Sequence, residues 1–491
     1  MITKRRLLRY SRRLVKGLAL CACALLLVAS KAPSVLEQVK SSGQLVVLSL
    51  NGPTTYYEDA SGHFTGFEYG MLKAFADELG VQLVIRDSQS VNQLFTRLGD
   101  PQEGANMAAA GLTVTSARRE EVRFTPSYLE IRQQVIYRLG EKRPRKISDL
   151  IGKQVAVLAG SAHAEEMRHL SQRYPALEWQ EVDDVATMEL LEMVNEGKFP
   201  YAVVDSNAYA VHRGLFPNTA LAFNLTQFQP VSWAFPQGED DSLYHAARSF
   251  VLRANTNGIA ARLREEFFGH LTPLNAGGAK AFSKSTRERL PKWRDAMQEA
   301  AQKYDLDWRL LAALSYQESH WNPKAKSRTG VRGLMMLTLG TARELGVNRL
   351  DPLQSIEGGA RYIVQIHDKI PARIQEPDRT WMALAAYNVG LGHLEDARVL
   401  TEKMGSNPDL WVDVREHLPL LAKRQYYKNT KHGYARGWEP VTYVQNIRHY
   451  QALLTWSSRI EEQRLARQAR EEAEALADSS QPEVAGPTPA L

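Results

Sequence analysis

The chain has 491 residues, of which 44% are hydrophobic and 24% charged, and its 61 Lys and Arg outnumber 55 Asp and Glu for a net charge of +6. That length exceeds one ordinary domain, and the balance of residues excludes both a multi-span membrane protein and a largely disordered chain.

In chain order, the first feature is a basic head (Lys4, Arg5, Arg6, Arg9, Arg12, Arg13 and Lys16) before an apolar run from Leu18 to Ala29. That run is short for a membrane span and reads as an export signal. Small residues Ala29, Ser30 and Ala32 offer cleavage sites, with cleavage near Ser30 favoured. Leu20, Cys21, Ala22, Cys23 is a poor lipobox, so lipidation is the second reading and an uncleaved anchor the third. Cys21 and Cys23 are the two cysteines of the chain, so a mature exported form has no disulfide. No Cys/His cluster has zinc-ligand spacing, and neither a metal nor a cofactor is expected.

From about Leu45 to Gly269, short β-branched runs alternate with amphipathic helical stretches, the pattern of an α/β domain. Val46 to Leu50, Val81 to Ile85, Gln154 to Leu158 and Tyr201 to Asp205 read as strands. The Gly-, Ala-, Thr- and Ser-rich stretch Leu271 to Ser285 reads as a linker. Leu290 to Trp456 reads as all-α, with turns at Asn322-Pro323, Asp351-Pro352 and Asn407-Pro408. After Arg459 the chain is almost wholly polar, which predicts a solvated helix followed by disorder. The expected organisation is therefore a signal over 1–30, an α/β domain over 31–269, a helical domain over 270–458 and a polar tail over 459–491.

In the helical half, Asp305 to Glu318 reads as one helix closed by Asn322-Pro323. Leu311, Leu314 and Glu318 fall at i, i+3 and i+7, so the carboxylate shares a face with leucines. Burial and the negative helix end both favour its neutral form, the condition of a general acid near neutral pH. An arbitrary Glu in that place is more often a rim carboxylate paired with Lys or Arg. Downstream stand a glycine-punctuated turn (Ser327, then Gly330 to Thr338), the run Ala386-Tyr387-Asn388 at a helix end, and Tyr443-Val444.

With Glu318-Ser319, these motifs make Leu290 to Trp456 resemble the soluble lytic transglycosylase catalytic domain, a goose-lysozyme-like helical fold. The resemblance implies that Glu318 is the catalytic acid and that Ser327, Met335, Tyr387, Asn388 and Tyr443 line a saccharide cleft. Many members have Gln where this chain has Met336, a departure that removes one sugar hydrogen bond. Between Glu318 and Glu344 there is no Asp or Glu, whereas ordinary glycosidases use two carboxylates. A lone acid implies that the substrate supplies the nucleophile, and the resemblance implies that this is the muramyl 6-hydroxyl of peptidoglycan, leaving a 1,6-anhydromuramyl end. A second carboxylate brought in by folding would instead make a hydrolytic lysozyme.

Gly43 to Gly269 resembles the family 3 extracellular solute-binding proteins, two α/β lobes closing on a small ligand. The resemblance rests on Gly66-Phe67-Glu68, on Ala109 to Phe124 with Pro126 and Tyr128, and on Ala202 to Ser206. In Leu112, Thr113, Val114, Thr115, Ser116, Ala117, Arg118 it makes Arg118 the clamp of a ligand carboxylate, with Arg119 as the neighbouring choice. Ser161 would add donors and Asp205 would hold an ammonium, though Ser161 and Asp205 also read as helix caps. An amino acid or muropeptide is the implied effector, and the two halves together imply an enzyme on the inner face of the outer membrane. The rival class is a binding receptor with an inactive helical module. The basic stretch Lys423 to Arg436 is read as a solvated face or an attraction to an anionic envelope polymer, not as a nucleic-acid site.

Overall fold

The computed structural model describes residues 33–479 apart from 59–61, 99, 184, 270, 272–275, 328 and 329. The expected signal and the end of the tail lie outside the described residues.

The four expected strands are present, at Gln44–Ser49, Gln82–Asp87, Val155–Leu158 and Tyr201–Asp205. Val155–Leu158 and Tyr201–Asp205 are buried along nearly their whole length, as parallel strands covered by helices on both faces must be. In the first lobe the sheet order is 82–87, 44–49, 107–108, 234–236, 122–124, and in the second 180–182, 155–158, 201–205, 133–138, 219–224. The last strand of the first lobe's chain path, Ala234–Pro236, arrives from the second lobe and pairs antiparallel with Val122–Phe124. The two crossing segments carry Leu129–Ile131 and Gln229–Val231, paired antiparallel. Two adjacent extended strands are thus the connection between the lobes.

The α/β half closes with helix Ile259–Phe268, whose Ala260 and Leu263 belong to the first lobe's core. The expected linker differs from the structure, since Ala276–Glu288 is a helix. Ala279, Phe282 and Ser285 are buried at three-residue spacing, one stripe of a helix. Phe282 decides the matter: its ring meets Tyr316 edge-on at 4.8 Å and stacks on Tyr450 at 5.1 Å. A composition of small residues hid one aromatic anchor.

The helical half packs around the buried helix Trp308–Ser319, which lies against Arg294–Lys303 and the long helix Trp438–Ser479. That long helix also lies on Asp378–Val389, and it touches both lobes of the first half. On one side Arg448, 5% exposed, donates to the Glu265 and Glu266 carbonyls at 2.8 Å and reaches the Glu265 carboxylate, which Arg415 also meets. Trp381 lies under the Arg448 guanidinium at 3.8 Å. Further along, Trp456 meets Tyr57 at 5.0 Å and His212 at 6.2 Å. Leu453 fills the space a Cβ at Gly214 would need.

Glu265 thus serves two guanidiniums in a largely buried seam. Truncating one partner of such a pair leaves a buried charge unmatched. Glu265→Ala is expected to lower full-chain stability by about 3 kcal/mol, read as a drop in the calorimetric transition that reports the joint between the halves. An unchanged thermogram would mean that the seam is solvated.

Candidate active site and interlobe cleft

Asp307 caps helix Trp308–Ser319 by accepting from the Arg309 amide at 2.9 Å, two residues later than the expected start near Asp305. Asp305 itself has φ +53° in the preceding turn. Leu311 through Tyr316 are buried without interruption, so the final turn carries Glu318 to the edge of a dry core. The helix stops at His320, followed by Trp321, both at positive φ. The Trp321 indole folds back to donate to the Ala312 carbonyl at 2.9 Å. This reversal ends the helix before Asn322-Pro323.

Glu318 is partly accessible. Burial pushes its pKa from 4.5 to about 7, and a hydrogen bond from the Tyr443 hydroxyl pulls the other way without cancelling it. Tyr443 is 5% exposed on the long helix, and burial together with the Glu318 charge holds its phenol far above the ordinary range. Tyr443 therefore remains a donor whichever state Glu318 adopts. Tyr387 also feels Glu318 and is held protonated by burial, its hydroxyl donating to the Met335 carbonyl at 3.0 Å. Tyr362 braces Tyr387 edge-on at 5.1 Å.

The glycine turn is fixed beneath the acid. Ser319 donates to the Leu334 carbonyl at 2.7 Å, tying the turn to the helix end that bears Glu318. Gly333 has φ +91°, and a Cβ there would collide with the Arg349 carbonyl. Ser327 closes the turn, accepting from the Val331 amide at 3.0 Å. Asn388 is exposed beside half-buried Tyr387.

Met335 departs from expectation. Its side chain is fully buried against Gly359, where a Cβ would lie 2.7 Å from it, so the cleft receives only its carbonyl, through Tyr387. Hydrophobic packing against the Gly358-Gly359 pair outweighs exposure to a sugar. That mid-helix glycine pair was the overlooked signal, because glycine inside a helix marks a close approach. Ser355, on the same helix, accepts from the Met335 amide at 3.1 Å.

Among the described residues no Lys, Arg or His pairs with Glu318, and its hydrogen bond comes from Tyr443. Glu344, the next carboxylate in sequence, influences Tyr362.

In the first half, Thr113, Arg118, Ser161 and Asp205 gather where strands end at the interlobe cleft, the usual ligand position in α/β sheets. Arg118 is buried, with its guanidinium against Glu165 at 3.0 Å and the Thr113 and Gly160 carbonyls at 3.3 and 3.0 Å. Ser161 is spent on capping, donating to the Leu158 carbonyl at 2.6 Å and accepting from the Ala164 amide. Asp205 meets His163 at 2.9 Å and makes no side-chain cap. Glu68 lies beneath, bonded to the Gly111 amide at 2.7 Å and to Tyr128, with burial raising its pKa to about 7.

Because the folded pKa of Glu318 is raised above its ordinary value, its neutral form is the one that stabilises the fold. That contribution is full below pH 4.5 and is lost as pH rises through about 7. Glu318→Gln, permanently neutral, should match the wild type in stability at pH 4.5 and exceed it at pH 8. The gain at pH 8 is at most about 3 kcal/mol, measured by chemical denaturation at both pH values. Equal stability at pH 8 would show that water reaches the carboxylate freely.

Two family models match the chain. Residues 45–270 match the bacterial extracellular solute-binding proteins, family 3, and residues 295–408 match the transglycosylase SLT domain. Membrane-bound lytic murein transglycosylase F of Saccharophagus degradans is 54% identical over 93% of this chain and 90% of its own length. The protein of the same name from Stutzerimonas stutzeri is 48% identical over 89% of this chain and 90% of its own. An ancestral arginine-binding protein bound to arginine aligns at 21% identity and TM-score 0.42, over 46% of this chain and 99% of that one.

Proposed function

The chain belongs to the membrane-bound lytic murein transglycosylase F family, and from that premise we propose that Glu318 is its single acid and base. The protein is a peptidoglycan lytic transglycosylase, a lyase with a solute-binding-like domain ahead of its catalytic one. The observation that carries the role of Glu318 is its isolation: a carboxyl group with a pKa of about 7, one phenol bonded to it, and no ion-pair partner among the described residues.

Neutral Glu318 gives its proton to the oxygen between N-acetylmuramic acid and N-acetylglucosamine as the bond from C1 breaks. The resulting carboxylate takes the proton of the muramyl 6-hydroxyl, whose oxygen closes onto C1. Glu318 ends protonated, ready for another cycle, and no water is consumed. A pKa near 7 suits both proton transfers. Tyr443 holds the carboxyl oxygen that is not transferring a proton, while Ser327, Tyr387 and Asn388 border the glycan strand and Met335 supports Tyr387 from below. A hydrolase would need a second carboxylate to activate water.

The first domain spans 31–269 in this reading, and the core of each half supports the break at 269–270, with Leu263 in one and Phe282 in the other. It takes a small amino acid or muropeptide, the carboxylate on Arg118 and the ammonium on Asp205, with buried Thr113 and Ser161 beside them. The basic and apolar N-terminal sequence supports export, and the "membrane-bound" in the relatives' name supports attachment to a membrane, which we place at the periplasmic face of the outer membrane. No helix among the described residues is long and apolar enough to cross a membrane.

Glu318→Gln keeps the shape of the side chain and loses the proton, so lysis of purified sacculi should fall by at least about a hundredfold while circular dichroism stays unchanged. Well-folded variant retaining more than about a tenth of wild-type activity would remove Glu318 from the chemistry. Digestion in heavy-oxygen water separates the two reactions. The lyase route puts no solvent oxygen at C1 and yields products one water lighter than hydrolysis, whereas solvent oxygen at C1 would mean a hydrolase.

A further inference from the structure

The two charged anchors of the interlobe cleft are already engaged by side chains of a single helix. Arg118 belongs to the first lobe, with its guanidinium 5.0 Å from the Phe95 ring. Its Nε lies 3.0 Å from Glu165 Oε1, and its other two nitrogens donate to the Thr113 and Gly160 carbonyls. Glu165 and Gly160 belong to the second lobe, so two of these three contacts cross the cleft. A Cβ at Gly160 would collide with the Asn92 amide of the first lobe, which shows how closely the lobes meet here. Asp205 Oδ1 lies 2.9 Å from His163 Nε2, and the other ring nitrogen of His163 is buried without a partner. His163 and Glu165 both sit in the first turn of helix Ala162–Arg173.

A guanidinium offers five donors in a fixed fork. Three of the five are engaged, and the edge carrying Nε, one of the two that can take a carboxylate bidentately, is occupied by Glu165. A cation this buried also requires a counter-charge when no ligand is present, and Glu165 supplies it across the cleft.

We propose that Glu165 is a built-in competitor of the first domain's ligand. Its carboxylate takes on Arg118 the place of the ligand carboxylate and latches the lobes together in the ligand's absence, while His163 covers Asp205. The site therefore admits a molecule carrying both a carboxylate and an ammonium group, which replaces the two internal partners together. A monocarboxylate displaces Glu165 and leaves Asp205 covered, and an amine does the reverse. The latch stands on the observed contacts alone; the competition rests on the reading of Arg118 and Asp205 as ligand anchors.

The test uses the full chain with Cys21 and Cys23 replaced by Ser and spin labels at Gln102→Cys and Gln172→Cys, exposed positions of the two lobes. Glu165→Gln, nearly isosteric and partly exposed, should shift the ligand-free distance distribution to longer and broader values. In calorimetry with L-alanine, L-glutamine and L-arginine, the same variant should bind at least one about tenfold or more tightly than the wild type, because the fraction of competent sites rises. Unchanged distances overturn the latch. Opened lobes with unchanged affinity for all three amino acids overturn the competition. Binding that Arg118→Ala abolishes but Glu165→Gln does not strengthen would leave the ligand anchors standing and defeat the inference, so the two readings fail separately.

Discussion

A carboxyl group held against a dry core with a phenol rather than a cation beside it is the constraint around which the helical half is arranged. Had Lys or Arg stood in the place of Tyr443, Glu318 would be an ordinary ionised partner, its pKa pulled down rather than up. Tyr443 stabilises either protonation state through one hydrogen bond and contributes no charge. Maintaining that environment takes the continuous burial from Leu311 to Tyr316, the reversal at His320 and Trp321, and the Ser319 bond to the glycine turn. Each holds the last helical turn at the boundary between core and cleft, where a side chain loses most of its water but can still meet a substrate.

The long helix Trp438–Ser479 ties this site to the rest of the molecule. Tyr443 reaches Glu318, Arg448 enters the Glu265 seam of the first lobe, and Leu453 and Trp456 pack on the second lobe near Gly214 and His212. The two seams differ in kind. One is a desolvated ion-pair cluster with directional bonds, and the other is apolar and aromatic. A change in the angle between the lobes would bear unequally on them, because a directional charge pair tolerates less displacement than a packed surface. This helix is a continuous physical connection between the two lobes and the Glu318 cleft.

Seen together, the two clefts handle charge in opposite ways. The Glu318 cleft favours a neutral carboxyl group by burying it without a counter-ion. The interlobe one gives two buried or half-buried charges partners: Glu165 and two carbonyls for Arg118, and His163 for Asp205. A buried carboxyl group can shed its charge by taking a proton, whereas an interface between two lobes cannot leave a buried guanidinium unmatched.

The sequence by itself determined what depends on local patterning. β-branched runs fixed four strands to within a residue or two, the i, i+3, i+7 spacing put Glu318 on the leucine face, and the glycines of 330–333 marked a turn that needs positive φ. The tertiary structure decided what depends on partners distant in the chain. Phe282 turned a supposed linker into a helix because it found Tyr316 and Tyr450, and the glycine pair at 358–359 drew Met335 out of the cleft into the core. Tyr443, 125 positions from Glu318, became its hydrogen-bond donor, and Glu165 met an arginine in the other lobe. No periodicity encodes these pairings, because spacing along a chain fixes the face a side chain occupies, while the group that meets that face is set by how the elements pack.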